Sequence, residues 1–241
     1  MARHVGTVVG VAHTTVPGYR DLSAIEIDVA IYQQVFGAKY DLTTVPSSRA
    51  TVNTVHKSII GLHDVLLPGD TFVFAYSGHG AQRPGLGVNE PDGAREALVL
   101  ADGEYRDVLL RNALHGFDPG VRVVALIDAC HAAGATFILP PTPARSGIVW
   151  QRALSVPGAS SLTMAAAPED ALAKQRQNSG GQLTDCLRRA HADGKSNGTW
   201  RELWDTMSAW AIGYDYRPRP QAWLDGPEGS GEDLLHESVF G

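Results

Sequence analysis

Cysteine is scarce in this chain, and the scarcity limits how the fold can be stabilised. Only Cys130 and Cys186 occur among its 241 residues. Small secreted domains often depend on several disulfides, and two cysteines cannot form such a framework. The composition therefore predicts a reducing compartment, and we expect a cytoplasmic protein.

Long apolar segments and clusters of basic residues are also missing. The apolar stretch within MARHVGTVVGVAH at the amino terminus is too short for a membrane span and lacks a small-residue cleavage site. The formal net charge is −6 and no run of Lys or Arg stands out, which argues against nucleic acid as a partner. We expect neither a membrane nor a nucleic-acid partner.

The residues that are present suit one α/β domain. A hydrophobic fraction of 44% is sufficient for a sizeable core. Strands are predicted at about 5–12, at about 40–45 and from 71, and helices are predicted between them, at about 22–36 and up to about 66. Ser47 or Ser48 is the predicted cap of the second helix. This βαβαβ order predicts a largely parallel sheet.

The second half of the sequence continues with shorter elements and one Pro-rich segment. Four prolines between Pro140 and Pro157 predict an exposed linker. The other predicted elements are strands at about 97–100, 161–167 and 221–224 and helices at about 107–115, 182–192 and 199–211.

Two apolar runs each end in a reactive side chain among small residues. TFVFAY leads into SGHG, which contains His79, and VRVVALID leads into ACHAAGA, which contains Cys130. Continuously apolar runs are typical of strands covered on both faces of a parallel sheet. Such strands end at a common edge, where ligands bind in open α/β sheets. A thiol beside an imidazole at that edge is a nucleophile with its base, although each residue alone is more often an inert core thiol or a turn histidine.

Both motifs resemble those of a known family. YSGHG, followed 51 positions later by DACHAAG, is similar to the caspase-like cysteine peptidases, in particular the metacaspase and bacterial caspase-homologue branch. SLTMAAAPEDALAKQ, GGQLTDCL and RPQAWLDG resemble that family's small subunit. The resemblance implies a caspase-like α/β/α sandwich with a mainly parallel central sheet of about six strands. It also implies a single domain with a large-subunit-like part at about 1–139, a linker at about 140–158 and a small-subunit-like part at about 159–241.

The resemblance implies a catalytic dyad. His79 would take the thiol proton of Cys130 and later give a proton to the leaving amine. The backbone N–H groups of Gly80 and Cys130 are the expected donors to the oxyanion. No third acidic residue is assigned to the dyad.

Alternation along the strands predicts a specificity pocket beside the dyad. Side chains two positions apart share a face, so Asp128 is expected on the side of Cys130 and Ser77 on that of His79. A carboxylate buried there needs a positive partner, which a basic substrate side chain would supply. Asp-Ala-Cys differs from the animal caspases, whose nucleophile follows Gln and whose pocket takes aspartate. The metacaspase resemblance instead implies cleavage after Arg or Lys.

The same resemblance implies a second pocket carboxylate on the first helix, at Asp28. The Asn that precedes this Asp in the family is replaced by Ile27, and the small or Cys position of the family is Ile25. The alternative for Asp28 is a solvated position on the helix surface.

Calcium and self-cleavage are two further expectations. Metacaspases often require calcium, and Glu96 and Asp107 occupy positions where ligands could lie. The family acid beyond the nucleophile falls in ATFIL, which has none, so we expect no required cofactor and leave calcium as an alternative. Arg145 and Arg152 in the Pro-rich linker indicate self-cleavage, against the alternative of an ordinary surface loop.

Three functions remain open at this point. The first is a cysteine endopeptidase that cleaves protein or peptide substrates after Arg or Lys. The second is a catalytically silent caspase-fold module that binds or regulates a partner, and the third is a caspase-like peptidase with aspartate preference. The short chain leaves no room for a separate sensor domain, so control by a protein partner or by processing is expected.

Overall fold

The computed structural model describes residues 2–84, 94–130, 150–155, 158–166, 175–176, 180–217, 219–227 and 230–240. The strands are β1 His4–Gly10, β2 Asp41–Val45, β3 Thr71–Ser77, β4 Gly80–Pro84, β5 Ala94–Val99, β6 Glu104–Arg106, β7 Arg122–Asp128, β8 Trp150–Ser155, β9 Ser160–Ala165, β10 Gln175–Arg176, β11 Gly180–Gly181 and β12 Gln221–Gly226. The helices are α1 Ile25–Phe36, α2 Val52–Ile60, α3 Asp107–His115, α4 Gln182–Ala192, α5 Trp200–Gly213 and α6 Ser230–His236.

A mainly parallel sheet forms the centre of the molecule and confirms the predicted fold class. Its seven strands lie in the order β2–β1–β3–β7–β9–β12–β8. Every neighbouring pair is parallel except β9 and β12, which are antiparallel. Six of these strands belong to the segments predicted as strands. The seventh, β8, lies at the edge beside β12, within the range predicted as linker.

Both faces of the sheet are covered by helices, as the continuously apolar strands predict. Along β3, Phe72, Phe74 and Tyr76 belong to one core, and Val73 and Ala75 belong to the other. The first core also contains side chains of α2 and α3, and the second contains side chains of α1, α4, α5 and α6. This arrangement is the α/β/α sandwich.

The start of α2 differs from the prediction. Ser47 does not cap this helix, because its hydroxyl accepts hydrogen bonds from the N–H groups of Ala12 and His13. The cap is Thr51, whose side chain accepts the N–H of Thr54 at 3.1 Å. The Ser47 hydroxyl accepts hydrogen bonds from another loop and not from the first turn of α2, so the predicted cap was wrong. The helix also ends at Ile60, well before position 66.

Three short antiparallel strands follow His79, where the sequence predicted only one strand, at about 97–100. β4, β5 and β6 form a separate sheet in that order. β6 has three residues, too few to show a period-two pattern in the sequence. This small sheet lies directly after the His79 motif in the chain and contributes to its surroundings.

No helix within the described ranges is both long and apolar enough to cross a bilayer. The longest of them, α5, has 14 residues, against about 20 for a typical span.

Candidate active site

The sheet brings His79 and Cys130 to one cavity. β3 and β7 are neighbours, and Ser77 at the end of β3 pairs with Asp128 at the end of β7. His79 and Cys130 each follow two residues later, so both leave the sheet at the same edge. The cavity has a volume of about 110 Å³. It is lined by Arg20, Leu22, Ile25, Ser77, Gly78, His79, Asp128, Ala129, Cys130 and Gly181.

The imidazole of His79 is oriented by the main chain of the loop between β1 and α1. Its Nε2 lies 2.7 Å from the carbonyl oxygen of Arg20. A carbonyl only accepts hydrogen bonds, so Nε2 carries the proton, and Nδ1 of the neutral ring is an acceptor. His79 can therefore take a proton from a thiol through Nδ1. Sequence patterns could not reveal Arg20, because the contact uses its main chain.

The main chain of His79 is held by a buried tyrosine. The hydroxyl of Tyr76 lies 2.8 Å from the carbonyl oxygens of both His79 and Val99, which share its single proton as acceptors. Burial raises the pKa of Tyr76, so the hydroxyl keeps its proton and remains a donor. A Cβ on Gly78 would lie 2.4 Å from this hydroxyl, which explains the glycine before His79.

Gly80 and Cys130 are in direct main-chain contact. A Cβ on Gly80 would lie 1.7 Å from the carbonyl oxygen of Cys130. Only glycine permits this approach. The two segments predicted to supply oxyanion donors therefore lie side by side, and the Cys130 side chain is half-buried.

Two carboxylates lie at or next to the cavity, and each accepts hydrogen bonds from uncharged donors. Asp28 is fully buried, which excludes the solvated alternative for this residue. It accepts the hydroxyl of Ser77 at 2.5 Å and the N–H of Gly181 at 2.9 Å. Asp128 accepts the N–H and the hydroxyl of Thr184, both at 2.7 Å. Asp128 lines the cavity, whereas Asp28 contacts two residues that line it.

The two carboxylates have no positive partner in the described part of the chain. Burial, followed by the negative charge of Asp128, raises the pKa of Asp28 to about 7. Burial also raises the pKa of Asp128 to about 6, although hydrogen bonds from Thr184 and Leu183 oppose this. A cation that entered the cavity would stabilise the ionised form of Asp128 and, through the neighbouring residues, that of Asp28.

A third buried acid, Asp185 in the first turn of α4, shows the contrast. Burial alone would raise its pKa, but side-chain donors hold that pKa below its ordinary value. Those donors are Tyr216, Arg188 and Arg189. Asp185 already has its cations within the protein, whereas Asp28 and Asp128 do not.

Thr184 is a site residue that the sequence alone did not identify. Its hydroxyl also contacts the Tyr32 hydroxyl, at 3.1 Å, so it joins Asp128 to α1. The available signal is the Gly-x-x-Thr pattern within GGQLTDCL at the start of α4. The pattern alone could not show that Thr184 contacts an acid 56 positions away.

Within the described ranges, Glu96 and Asp107 are not grouped with further candidate calcium ligands. Glu96 is buried in β5 and accepts a hydrogen bond from Gln82 at 3.1 Å. Asp107 begins α3, where burial raises its pKa and one carboxyl oxygen has no hydrogen-bond partner. Calcium requires six to eight oxygen ligands. No group of three or more acidic, His or Cys side chains in the described ranges is arranged to hold a metal.

Arg145 lies outside the described residues, and only the main chain of Arg152 is described, within β8. The self-cleavage hypothesis therefore remains a prediction.

Cys186 is fully buried in α4, and burial raises the pKa of its thiol. Cys130 is thus the accessible thiol of the pair.

A caspase-like fold is the class that this sheet and its helices define. Solved structures agree on the fold. A structural-genomics target from Geobacter sulfurreducens matches with a TM-score of 0.77 and 22% identity, over 99% of this chain and 98% of that one. Caspase-1 from Spodoptera frugiperda matches with a TM-score of 0.60 and 13% identity, over 95% of this chain and 92% of that one.

Sequence comparison finds metacaspases as relatives of part of the chain. Residues 27–139 match the family described as metacaspase, peptidase C14 domain. Metacaspase-1A of Aspergillus oryzae is 31% identical over 109 residues, which are 43% of this chain and 26% of that protein. Metacaspase-1 of Eremothecium gossypii is 30% identical over 116 residues, 46% of this chain and 25% of that protein. Residues 27–139 of the chain are thus similar to metacaspases, and the match spans about a quarter of the length of these curated relatives.

Proposed function

We propose that this chain is a cysteine endopeptidase that hydrolyses peptide bonds after Arg or Lys. The observation that carries the proposal is the cavity shared by Cys130, His79 and Asp128. The free acceptor on His79 suits proton abstraction from the thiol. The uncompensated carboxylate at Asp128 suits a cationic side chain.

The proposed reaction begins when Nδ1 of His79 takes the proton of Cys130 and the thiolate attacks the substrate carbonyl carbon. The resulting oxyanion would accept hydrogen bonds from the N–H groups of Gly80 and Cys130. Collapse of this intermediate breaks the C–N bond, and His79 protonates the leaving amine. Water, deprotonated by His79, then hydrolyses the thioester, which releases the new carboxyl group and restores the thiol.

Specificity would come from the two carboxylates. An Arg or Lys side chain in the cavity would reach Asp128 first. Ser77 and Gly181 hold Asp28 behind the cavity, so Asp28 would contribute through its charge and through the hydrogen bond from Ser77. An aspartate side chain would add a third negative charge to this group and would be repelled.

A panel of matched peptide reporters that differ only in Arg, Lys or Asp before the scissile bond tests this function. We expect turnover of the Arg and Lys reporters, loss of turnover in Cys130→Ala, and a selective loss of Arg cleavage in Asp128→Ala. Cleavage of the Asp reporter alone would favour the aspartate-preferring alternative. No turnover of any reporter, with or without calcium, would favour the silent binding module.

We also propose that no cofactor is required and that the linker is a substrate of the enzyme itself. Rates of the Arg reporter in the presence of calcium and of a chelator test the first point, and equal rates are expected. Intact mass of the purified protein beside Cys130→Ala tests the second, with fragments ending at Arg145 or Arg152 expected only in the unmodified protein. A cytoplasmic location and a regulatory protein partner belong to the same proposal.

A further inference from the structure

Tyr19, in the loop between β1 and α1, contacts the proposed base. Its ring centroid lies 5.1 Å from that of His79, with an angle of 47° between the two planes. Tyr19 immediately precedes Arg20, whose carbonyl oxygen accepts the Nε2 proton of His79. We propose that Tyr19 is a positioning residue, whose ring fixes the rotation of the His79 imidazole so that Nδ1 faces the Cys130 thiol. This inference rests on the proposed roles of His79 and Cys130.

A second contact is needed because the hydrogen bond alone leaves the imidazole free to turn. His79 is half-buried, and rotation about the terminal side-chain bond of histidine has a broad, roughly two-fold preference. The bond to Arg20 sets the distance between Nε2 and the carbonyl oxygen, and the ring can still pivot about that line. A ring packed against the imidazole removes this freedom. Two consecutive residues of one loop would thus supply both constraints.

Tyr19 is itself held in place from the other side. Its ring packs with Val16 against the apolar cluster formed by Ala81, Ala97 and Val99. Those three residues belong to β4 and β5, so the small antiparallel sheet supports the ring. This gives the small sheet a function at the site, although its strands do not line the cavity.

The loop that carries Tyr19 is fastened to the same sheet region by its main chain and hydroxyls. The hydroxyl of Thr14 donates to the carbonyl oxygen of Leu100 at 2.6 Å. The N–H of Thr15 donates to the carbonyl oxygen of Ala101 at 2.9 Å. With its base anchored in this way, the loop can hold Tyr19 and Arg20 in a constant position relative to His79.

Tyr19 would act through contact and not through proton transfer. Burial raises the pKa of its phenol, so the hydroxyl stays protonated at neutral pH. The aromatic ring is therefore the part that matters, and the hydroxyl is dispensable. This distinction separates Tyr19→Phe, which keeps the ring, from Tyr19→Leu, which removes it.

The test measures the alkylation of Cys130 by iodoacetamide at pH 7 together with kcat and KM on the Arg reporter. Iodoacetamide is small and neutral, so its rate reports thiolate formation without the specificity pocket. We expect Tyr19→Leu to lower the alkylation rate and kcat at least about tenfold, within the cost of misplacing a reacting group. KM should stay within about twofold, and Tyr19→Phe should restore at least half of both rates. Val16→Ala is the matched control, since it trims the same cluster but leaves the Tyr19 ring beside His79, and both rates should fall far less than in Tyr19→Leu.

Three results would overturn the proposal. The first is a folded Tyr19→Leu protein with wild-type alkylation and kcat, and the second is a Tyr19→Phe protein as slow as Tyr19→Leu. The third is an equal loss in Val16→Ala, which would indicate a general effect of the cluster. If Tyr19→Leu fails to fold, Tyr19→Met replaces it, and failure of both would show a purely structural requirement and also overturn the proposal. If the unmodified protein cleaves no reporter, the peptidase proposal fails while the alkylation rates still decide the role of Tyr19.

Discussion

Two glycines of the site lie where any side chain would collide with a functional group. Gly80 adjoins the carbonyl oxygen of Cys130, and a Cβ on Gly181 would lie 2.1 Å from Oδ2 of Asp128. A contact below 3 Å with main-chain or carboxylate atoms cannot be relieved without movement of the site. At this scale, single atoms determine whether the proposed nucleophile and its pocket can form.

Replacing Gly80 with alanine should therefore abolish activity. The new methyl group would push β4 away from Cys130 and displace the proposed oxyanion donors, which typically costs about 10² or more in rate. Turnover of the Arg reporter and thermal unfolding are the measurements. Gly213→Ala, at the end of α5, is the control, because a Cβ there would meet no atom within 4 Å outside its own helix turn; turnover should stay unchanged and the unfolding temperature should stay the same or rise slightly. A fully active Gly80→Ala enzyme would contradict the close approach.

A buried acid and a largely buried histidine meet at the opposite edge of the sheet from His79 and Cys130. Nε2 of His115, the last residue of α3, lies 3.7 Å from Oδ2 of Asp225 in β12. Burial raises the pKa of Asp225 to about 7 and lowers that of His115 to about 4. Both groups are therefore largely neutral around pH 5, and the contact is not an ion pair there.

The variant Asp225→Asn should change how stability depends on pH. In the wild type, Asp225 binds its proton more tightly in the folded state than in the unfolded chain. Protonated Asp225 therefore adds to the free energy of unfolding below about pH 4, and this contribution is lost as the pH rises to about 7. His115 acts in the opposite direction, because its contribution is lost as the pH falls from 6.5 to about 4. In Asp225→Asn only the His115 contribution to the pH dependence of the free energy of unfolding remains.

Urea unfolding at several pH values between 4 and 7.5 measures this difference. The free energy of unfolding of Asp225→Asn, relative to wild type, should rise with pH by up to about 1.4 kcal/mol for each pH unit between the two pKa values of Asp225. Asp233→Asn, at an exposed position in α6, should follow the wild-type curve. A variant that stays parallel to the wild type across this range would contradict the raised pKa.

At the scale of elements, α5 shows how a local sequence signal and tertiary packing combine. Thr199 and Glu202 form a reciprocal capping box, with Glu202 N–H donating to Thr199 and Thr199 N–H donating to Glu202. The helix then buries Trp200, Trp204 and Met207 in the core. The cap sets where the helix begins, and the packing supplies most of its stability.

Thr199→Ala should lower the free energy of unfolding by about 1 kcal/mol, since the first-turn N–H groups lose a side-chain acceptor. Urea denaturation monitored by tryptophan fluorescence measures the loss. The comparison is Thr206→Ala, at a position inside the same helix, where alanine should be neutral or slightly stabilising. An equal effect of the two substitutions would show that the capping box contributes nothing.

At the scale of the whole molecule, the net charge of the chain is complementary to the proposed substrates. The chain has a formal net charge of −6, and the proposed substrates are cationic. Such a field raises the encounter rate of basic peptides, and salt screens it. The field acts in addition to the local contact with Asp128.

Cleavage of a Lys-rich Arg reporter should therefore slow as sodium chloride is raised from about 0.05 to 0.5 M, with kcat/KM falling several-fold. The kcat/KM of a reporter with the same Arg but neutral flanking residues should fall less, because its single charge interacts mainly with the local carboxylates. Alkylation of Cys130 by neutral iodoacetamide should not change. An increase of kcat/KM with salt for the Lys-rich reporter would oppose the electrostatic contribution.

Local patterns were sufficient for several elements and for the approximate place of the site. The bounds of α3 and α4 coincide with the predicted helices, because their apolar residues recur at helical spacing. Two apolar runs that end in His79 and Cys130 indicated neighbouring strands. Strand ends in a parallel sheet share an edge, so the meeting of these residues followed from the pattern.

Other features of the site required the folded chain. Asp28 is buried, and one of its carboxylate oxygens accepts the N–H of Gly181, which is 153 positions away. The orientation of His79 depends on a carbonyl that any residue at position 20 would supply. Ser47 lost its predicted capping role to a loop contact 35 positions away.

The sequence by itself determined the class of fold and the strand ends near which His79, Cys130 and Asp128 lie, because the burial pattern along a strand is a local property. Tertiary structure alone decided which nitrogen of His79 is free, which donors hold Asp28 and Asp128, and where Tyr19 lies. Those features depend on distances between residues far apart in the chain, and such distances exist only after the sheet and its helices have packed.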